Sequence, residues 1–304
     1  MKPTKVKHFG IARKIVANMT SESWETIPHT SYIYEPEVTD FMNVVKDMNA
    51  SGKFPVKLTV NTVMLKALAE AFKAAPQLNA HIKFNRKLVR GVVTEWDEIH
   101  AGMTWILPNG EMMTINLHDI GNKSLVELAE YIADVSRKIG NTDMTEVMFE
   151  VSLNDTLEKL KKGKVMNAIY RLFGAKTGKH KIKTLSGQAK KDYYSIPETD
   201  RLTKYDIKQG TVTISNVGTL TRGVNGRVAL LSIIPPQVFV CCMGSIMKKP
   251  VVKQDENGND VIVIGNELPI DLVFDHRAVD FGEVVPFINR LEDIFRNPGQ
   301  MYNW

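Results

Sequence analysis

The feature that most constrains the fold is a change of period between Leu268 and Arg296. Pro269 to Phe274 is a short alternating run with β-branched members and reads as a strand. Val284, Val285, Phe287, Ile288, Leu291, Ile294 and Phe295 then fall at helical spacing, and Asn297-Pro298 stops that helix. Between the two patterns stand Asp275, His276, Arg277 and Asp280, too charged for a packed core. A strand must therefore pass through a tight polar turn into a helix, with His276 at the junction, where site residues are commonly held. The spacing allows two readings of His276. It is a hydrogen-bonded structural histidine, or it is a base, because an imidazole with an unperturbed pKa of about 6.5 takes a proton from a thiol or alcohol at neutral pH.

The same periodicities predict helices over 10–22, 37–50, 60–74 and 124–139 besides 282–296. They predict strands around 28–35, 90–96, 98–106, 112–117, 210–216, 228–234, 237–244, 260–264 and 268–275. The alternating order makes this an α/β chain. Asp255-Glu-Asn-Gly-Asn-Asp260 reads as a hairpin turn, since Asn-Gly supplies positive φ. There is no internal repeat and no low-complexity segment.

With 304 residues, 43% hydrophobic and 24% charged, the chain fits one large domain or two ordinary ones. No apolar run approaches the ~18 residues of a membrane helix, and Met1-Lys-Pro-Thr-Lys-Val-Lys lacks the apolar stretch of a signal peptide. A cytoplasmic protein with no transmembrane segment is expected. The only cysteines, Cys241 and Cys242, are adjacent in a strand-like run and point to opposite faces, so buried reduced thiols are expected rather than a disulfide. The net charge of +5 is modest, and aromatic interleaving is confined to Tyr193-Tyr194, which argues against nucleic-acid binding.

Asp275-His-Arg-Ala-Val-Asp280 resembles the HxxxD active-site motif of chloramphenicol acetyltransferase and of the catalytic core of dihydrolipoamide acyltransferases. Three further segments follow that family's order. Phe9 to Met19 with Thr26-Ile-Pro-His29 resembles its opening helix and the start of its first strand. Lys57 to Ala69 with Pro76-Gln-Leu-Asn-Ala80 resembles its second helix and exit. Thr211-Val-Thr-Ile-Ser-Asn-Val-Gly218, followed by Pro235-Pro-Gln237 and Val238 to Gly244, resembles its Thr-Ile-Ser-Asn-x-Gly strand and the strand after it. The resemblance covers most of residues 8–145 and 208–299. It implies a chloramphenicol-acetyltransferase-like two-layer α/β sandwich with a mixed sheet, forming a single catalytic domain over 1–304.

The implied chemistry is acyl transfer between a coenzyme A thioester and a thiol of the dihydrolipoyl type or another nucleophile. His276 takes the role of base and Ser215 that of oxyanion donor, with Asn216 beside it. Asp280 orders the site through an arginine, for which Arg13 and Arg277 are the candidates. Coenzyme A enters as a substrate, no metal is implied, and no lipoyl group is expected on this chain. The resemblance also implies a homotrimer, open to larger assembly, whose sites take the histidine from one subunit and the serine from the next. An inactive scaffold of the same fold and an antibiotic-type O-acetyltransferase are the alternatives. Two departures stand out. Phe281 occupies the place where family members have glycine, which here is Gly282, so the loop is expected to shift by one residue or adopt other angles. An insertion at about 145–207 carries Leu157 to Phe173 and then Lys176, Lys179, Lys181, Lys183, Lys190 and Lys191. Val165, Ile169, Leu172 and Phe173 are spaced as a helix, with Gly174 as its expected cap. This basic insertion is read as a solvated surface helix, an acceptor-binding flap, a contact for a coenzyme A phosphate, or a peripheral membrane attachment.

Overall fold

The computed structural model describes residues 2–304 apart from Pro108, Asn109, Glu111, Lys162, Lys164, Arg222, Gly223 and Asn225. It leaves undescribed the side chains of Lys159, Asn167, Arg171 and Lys176 inside helices. The helices are α1 (Ile11–Thr26), α2 (Thr39–Ala50), α3 (Val60–Ala74), α4 (Leu125–Gly140), α5 (Met144–Lys161), α6 (Val165–Lys176), α7 (Gly187–Ser195), α8 (Lys204–Ile207) and α9 (Phe281–Arg296). The strands are β1 (His29–Tyr34), β2 (Ala80–Asn85), β3 (Arg90–Glu95), β4 (Ala101–Ile106), β5 (Met112–Leu117), β6 (Val212–Asn216), β7 (Phe239–Met243), β8 (Met247–Gln254), β9 (Asp260–Glu267) and β10 (Ile270–Asp275).

The chain divides into two compact units. The larger comprises Glu22–Thr104, Leu117–Ala133 and Gly210–Trp304; the smaller comprises Met1–Ser21, Trp105–Asn116 and Asp134–Gln209. The principal sheet has the order β1-β10-β7-β6-β4-β5. It is mixed, because β1, β10 and β7 pair antiparallel while β7, β6 and β4 pair parallel. Two hairpins, β2–β3 and β8–β9, stand outside it.

In the larger unit α3 and α9 cover one sheet face. Phe72 of α3, Phe239 of β7 and Phe287 of α9 meet ring to ring at centroid separations of 5.6, 4.9 and 5.4 Å. All three are at most 1% exposed, so truncating one to alanine would cost about 3–5 kcal/mol. Thr59 caps α3, its hydroxyl accepting from the Thr62 N–H at 3.1 Å. On the other face Ile27, Ile233, Val240 and Val273 form a core against which Leu231 packs. The Asp255–Asp260 turn joins β8 to β9 as expected, with Gly258 at φ +79°.

Three expectations need correction. Residues 228–234 form no strand, and two of their backbone groups are bonded by side chains. His29 Nε2 accepts from the Ile233 N–H at 3.1 Å, and the Ser31 hydroxyl donates to the Ala229 carbonyl at 2.7 Å. β2 and β8 were not expected. Gly174 does not cap the insertion helix, which continues to Lys176. Gly163, at φ +76°, separates α5 from α6, and Gly178, at φ +62°, follows the end of α6.

Candidate active site

His276 follows β10 directly, and its backbone N–H donates to the Pro28 carbonyl at 3.1 Å. The Phe274 ring meets the imidazole edge to face at 5.9 Å. Its Nδ1 lies 3.2 Å from an Asp280 carboxylate oxygen. An Nδ1–H donated to Asp280 leaves the Nε2 lone pair free, the tautomer a base requires. The His276 side chain is 53% exposed.

Phe281 is accommodated at this turn without positive φ. Asp280 has extended backbone, φ −99°, and is the N-cap of α9, so Phe281 becomes the first helical residue and no positive φ is required. Asp280 N–H donates to Glu283 Oε2 at 2.8 Å, and the Phe281 ring packs edge to face on Tyr32 at 5.0 Å. A Cβ added to Gly282 would meet nothing within 4 Å, so its glycine identity is not a steric requirement.

Arg277 does not reach for Asp280. It makes a two-pronged pair with Asp275, Nε to Oδ1 at 2.9 Å and Nη2 to Oδ2 at 2.6 Å, beneath the turn. Asp275 is fully buried. Asp280 by contrast has its side chain 82% exposed, so no penalty for an unpaired buried charge attaches to its substitution. Arg13 is an exposed residue in the first turn of α1, in the smaller unit.

Ser215 lies on β6, 7% exposed, with its hydroxyl against the Cys242 thiol. Burial pushes both thiols up, the Ser215 hydroxyl opposing this at Cys242, so neither cysteine is primed as a nucleophile. Register fixes the distance between serine and histidine. Ser215 pairs laterally with Cys242, and Cys242 with Asp271. His276 is five residues beyond Asp271 on a strand rising about 3.3 Å per residue, so the two groups are separated by roughly 16 Å along the sheet. One chain does not bring them together.

Asn216, on the opposite face from Ser215, lines a cavity of about 380 Å³ with Asn61, Met64, Gly218, Met243, Ser245 and Leu268. Its Nδ2 donates to Asn61 Oδ1 at 3.0 Å, and its Oδ1 accepts from the Gly218 N–H at 3.0 Å. Asn61 escaped the sequence reading because it looks like any polar residue in a first helical turn. Asp271 escaped too, though an acid inside the run Leu268–Phe274 was a visible signal. It is 2% exposed, burial raises its carboxyl, and the Ser31 hydroxyl donates to its Oδ1 at 2.6 Å. Its Oδ2 has no hydrogen-bond partner among the described residues. Among those residues no cluster of His, Cys, Asp and Glu is placed to hold a metal, and no helix is long and apolar enough to cross a membrane.

A mixed sheet with a histidine–carboxylate turn after one strand and a Ser-Asn-x-Gly bend after another defines a class, and comparison with known proteins agrees. The chain belongs to the 2-oxoacid dehydrogenases acyltransferase (catalytic domain) family, whose model matches residues 1–152 and 179–303. It is 24% identical over 92% of its length to the dihydrolipoyllysine-residue acetyltransferase component of the pyruvate dehydrogenase complex of Mycobacterium bovis. It is likewise 24% identical over 96% of its length to the lipoamide acyltransferase component of the branched-chain alpha-keto acid dehydrogenase complex of Pseudomonas aeruginosa. The aligned parts are 39% and 52% of those proteins, so the chain spans about half of their length or less. The fold is shared with the Azotobacter vinelandii dihydrolipoamide acetyltransferase, in a structure concerned with a serine, a histidine and an asparagine in that enzyme's catalytic mechanism. The TM-score is 0.63 at 19% identity, covering 99% of this chain and 94% of that one. The cubic core of the pyruvate dehydrogenase multienzyme complex gives 0.65 at 18% identity, with coverage of 99% and 94%.

Proposed function

We propose that the protein is a coenzyme A-dependent acyltransferase that moves an acyl group between a coenzyme A thioester and a dihydrolipoyl-type dithiol. His276 Nε2 removes the acceptor thiol's proton, and the thiolate attacks the thioester carbonyl. The Ser215 hydroxyl donates to the developing oxyanion, and the proton held by the imidazole returns to the departing coenzyme A sulfur. Asp280 positions the imidazole. Arg13, Asn216, Arg277 and Gly282 support the site, Arg277 by packing the turn through Asp275. The asparagine in the Azotobacter enzyme lies four residues after the histidine, as Asp280 does after His276, which supports this assignment.

The observation that carries the reading is the separation of Ser215 from His276 along the sheet, since a complete site then requires the serine of another copy. We take the assembly to be a homotrimer with heterologous interfaces, able to join a larger one, and its location to be the cytoplasm. Both units are read as one catalytic domain because the family model matches segments of each, with an insertion at about 145–207, of which that model leaves 153–178 unmatched.

The test is transfer from acetyl-coenzyme A and larger acyl thioesters to free dihydrolipoamide. His276→Ala and Ser215→Ala should each be impaired, the serine variant by about 2.7–4 kcal/mol of barrier. Dissociated and reassembled together, the two inactive chains should regain about a quarter of the wild-type sites, the fraction of interfaces pairing an intact histidine with an intact serine. Recovery of nothing from a mixture that has exchanged subunits would place both groups in one chain and overturn the shared site. Activity in His276→Ala equal to wild type would overturn the catalytic reading itself.

A further inference from the structure

The segment unmatched by the family model, residues 153–178, opens the most basic part of the chain. Residues 157–183 hold eight lysines and Arg171 against the single acid Glu158, a net charge of +8; the whole chain carries +5, so the remainder carries −3. Within this stretch lies α6, and Val165, Met166, Ile169, Tyr170 and Phe173 are 48, 58, 49, 67 and 67% exposed. At about 100° per residue these five occupy a single arc of roughly 140°. Ala168, outside the arc, is fully buried. The helix is held by contacts away from this face. Lys14 Nζ donates to the Gly174 and His180 carbonyls at 2.9 and 2.6 Å, and the Ile182 N–H donates to the Ala175 carbonyl at 2.9 Å. Lys161, Lys179, Lys181 and Lys183 are exposed beyond its two ends.

We propose that α6 docks the protein onto an anionic phospholipid surface, its apolar face in the boundary between headgroups and acyl chains and the flanking lysines on lipid phosphates. Charge selects this occupant. A second copy paired face to face through it would bring two segments of +8 together, and a copy seated on it by another surface would be revealed by the oligomer mass of the Ile169→Glu/Phe173→Glu variant. A polynucleotide would satisfy the lysines but leave five large apolar side chains in water. A bilayer surface carrying acidic lipid accepts both features. The twelve residues of α6 span about 18 Å, too short to cross a bilayer and suited to lying in its plane. The tyrosine and phenylalanine are residue types that settle at that depth.

The experiment is co-sedimentation of the full chain with phosphatidylcholine vesicles, with and without phosphatidylglycerol. Binding should require the acidic lipid and weaken with added salt. Lys179→Glu/Lys181→Glu/Lys183→Glu should lower the partition coefficient by about a hundredfold or more, since each basic residue near such a surface is worth roughly fivefold. Ile169→Glu/Phe173→Glu should abolish sedimentation while leaving the thermal midpoint and the sedimentation-velocity mass unchanged, because both side chains already face solvent. The proposal is overturned by equal binding to neutral vesicles, by no binding to either, or by full binding of the Ile169→Glu/Phe173→Glu chain. A fall in oligomer mass in that variant would also overturn it, by showing that another copy covers the face.

Discussion

His276 Nδ1 stands 3.2 Å from an Asp280 carboxylate oxygen, and this contact decides which ring nitrogen is left free. An asparagine at position 280 still offers an oxygen to Nδ1–H, whereas alanine does not. Asp280→Asn should keep transferase activity within about tenfold of wild type, and Asp280→Ala should lose about 100-fold in kcat, the scale of a misdirected general base. Stability separates the variants differently. Asp280 is an exposed N-cap, so alanine should cost about 1 kcal/mol and asparagine almost nothing, read from denaturant midpoints. Equal kinetic losses in both variants would mean that charge, not orientation, is what Asp280 supplies.

Arg277→Ala acts on the fold beneath the histidine. It removes every guanidinium bond to the fully buried Asp275 carboxylate, leaving the residue-277 backbone N–H on Oδ1 at 3.0 Å, and should destabilise the larger unit by about 3–5 kcal/mol. Arg277→Lys should recover only part of this, since an ammonium cannot make the forked pair. Adding Asp275→Asn to Arg277→Ala should be less destabilising than Arg277→Ala alone, because the unpaired charge is gone. Urea denaturation of the three variants checks the order.

Gly218→Ala tests the bend after β6. A Cβ there would stand 2.1 Å from the Gly244 carbonyl oxygen and 2.7 Å from its carbon, both backbone atoms that cannot swing aside. The ends of β6 and β7 must part, costing about 1–3 kcal/mol. The Asn216 amide that bonds the Gly218 N–H would move with them. Reduced turnover together with a lowered denaturant midpoint is expected, and an unchanged midpoint would show that the two strand ends separate freely.

Sequence periodicity was enough for α3, α4 and α9 and for the strands that bury a face, since each carries a long, regular apolar pattern. It failed where the pattern was short or borrowed. In β8 three lysines and Pro250 mask an alternation that matters only in a two-stranded hairpin. Residues 228–234 are apolar enough for a strand but form none, and His29 and Ser31 bond the Ile233 N–H and the Ala229 carbonyl there. The turn that carries His276 and Asp280 was legible because it is local, but the contact between them was not, since the sequence pointed that carboxylate to an arginine. The lateral pairing of Ser215 with Cys242 and of Cys242 with Asp271 is not local, so the distance from serine to histidine could only come from the sheet register.

That same loop makes stability depend on pH through His29. The ring nitrogen Nε2 accepts from the Ile233 N–H at 3.1 Å, with the Ser23 hydroxyl at 3.2 Å, and Ile233 belongs to the core on that face of the sheet. Acceptance requires the neutral imidazole. Burial lowers the His29 pKa below 6.5, and Arg277 adds to this; the Ile27 carbonyl and Asp275 oppose it without reversing it. Because the folded pKa is the lower one, the unfolded chain binds more protons as pH falls through and below 6.5. Stability from this residue is therefore fully present above the unfolded value and is lost as pH drops toward the folded one. Burial also lowers the pKa of His81, which contributes a slope of the same sign. Denaturant midpoints measured from about pH 8 to about pH 5 should fall with pH, and His29→Gln should show a shallower fall from a lower starting midpoint. An identical slope in His29→Gln would assign the whole effect to His81 and the other titrating groups, and remove His29 as the pH-sensitive pin of the 228–234 loop.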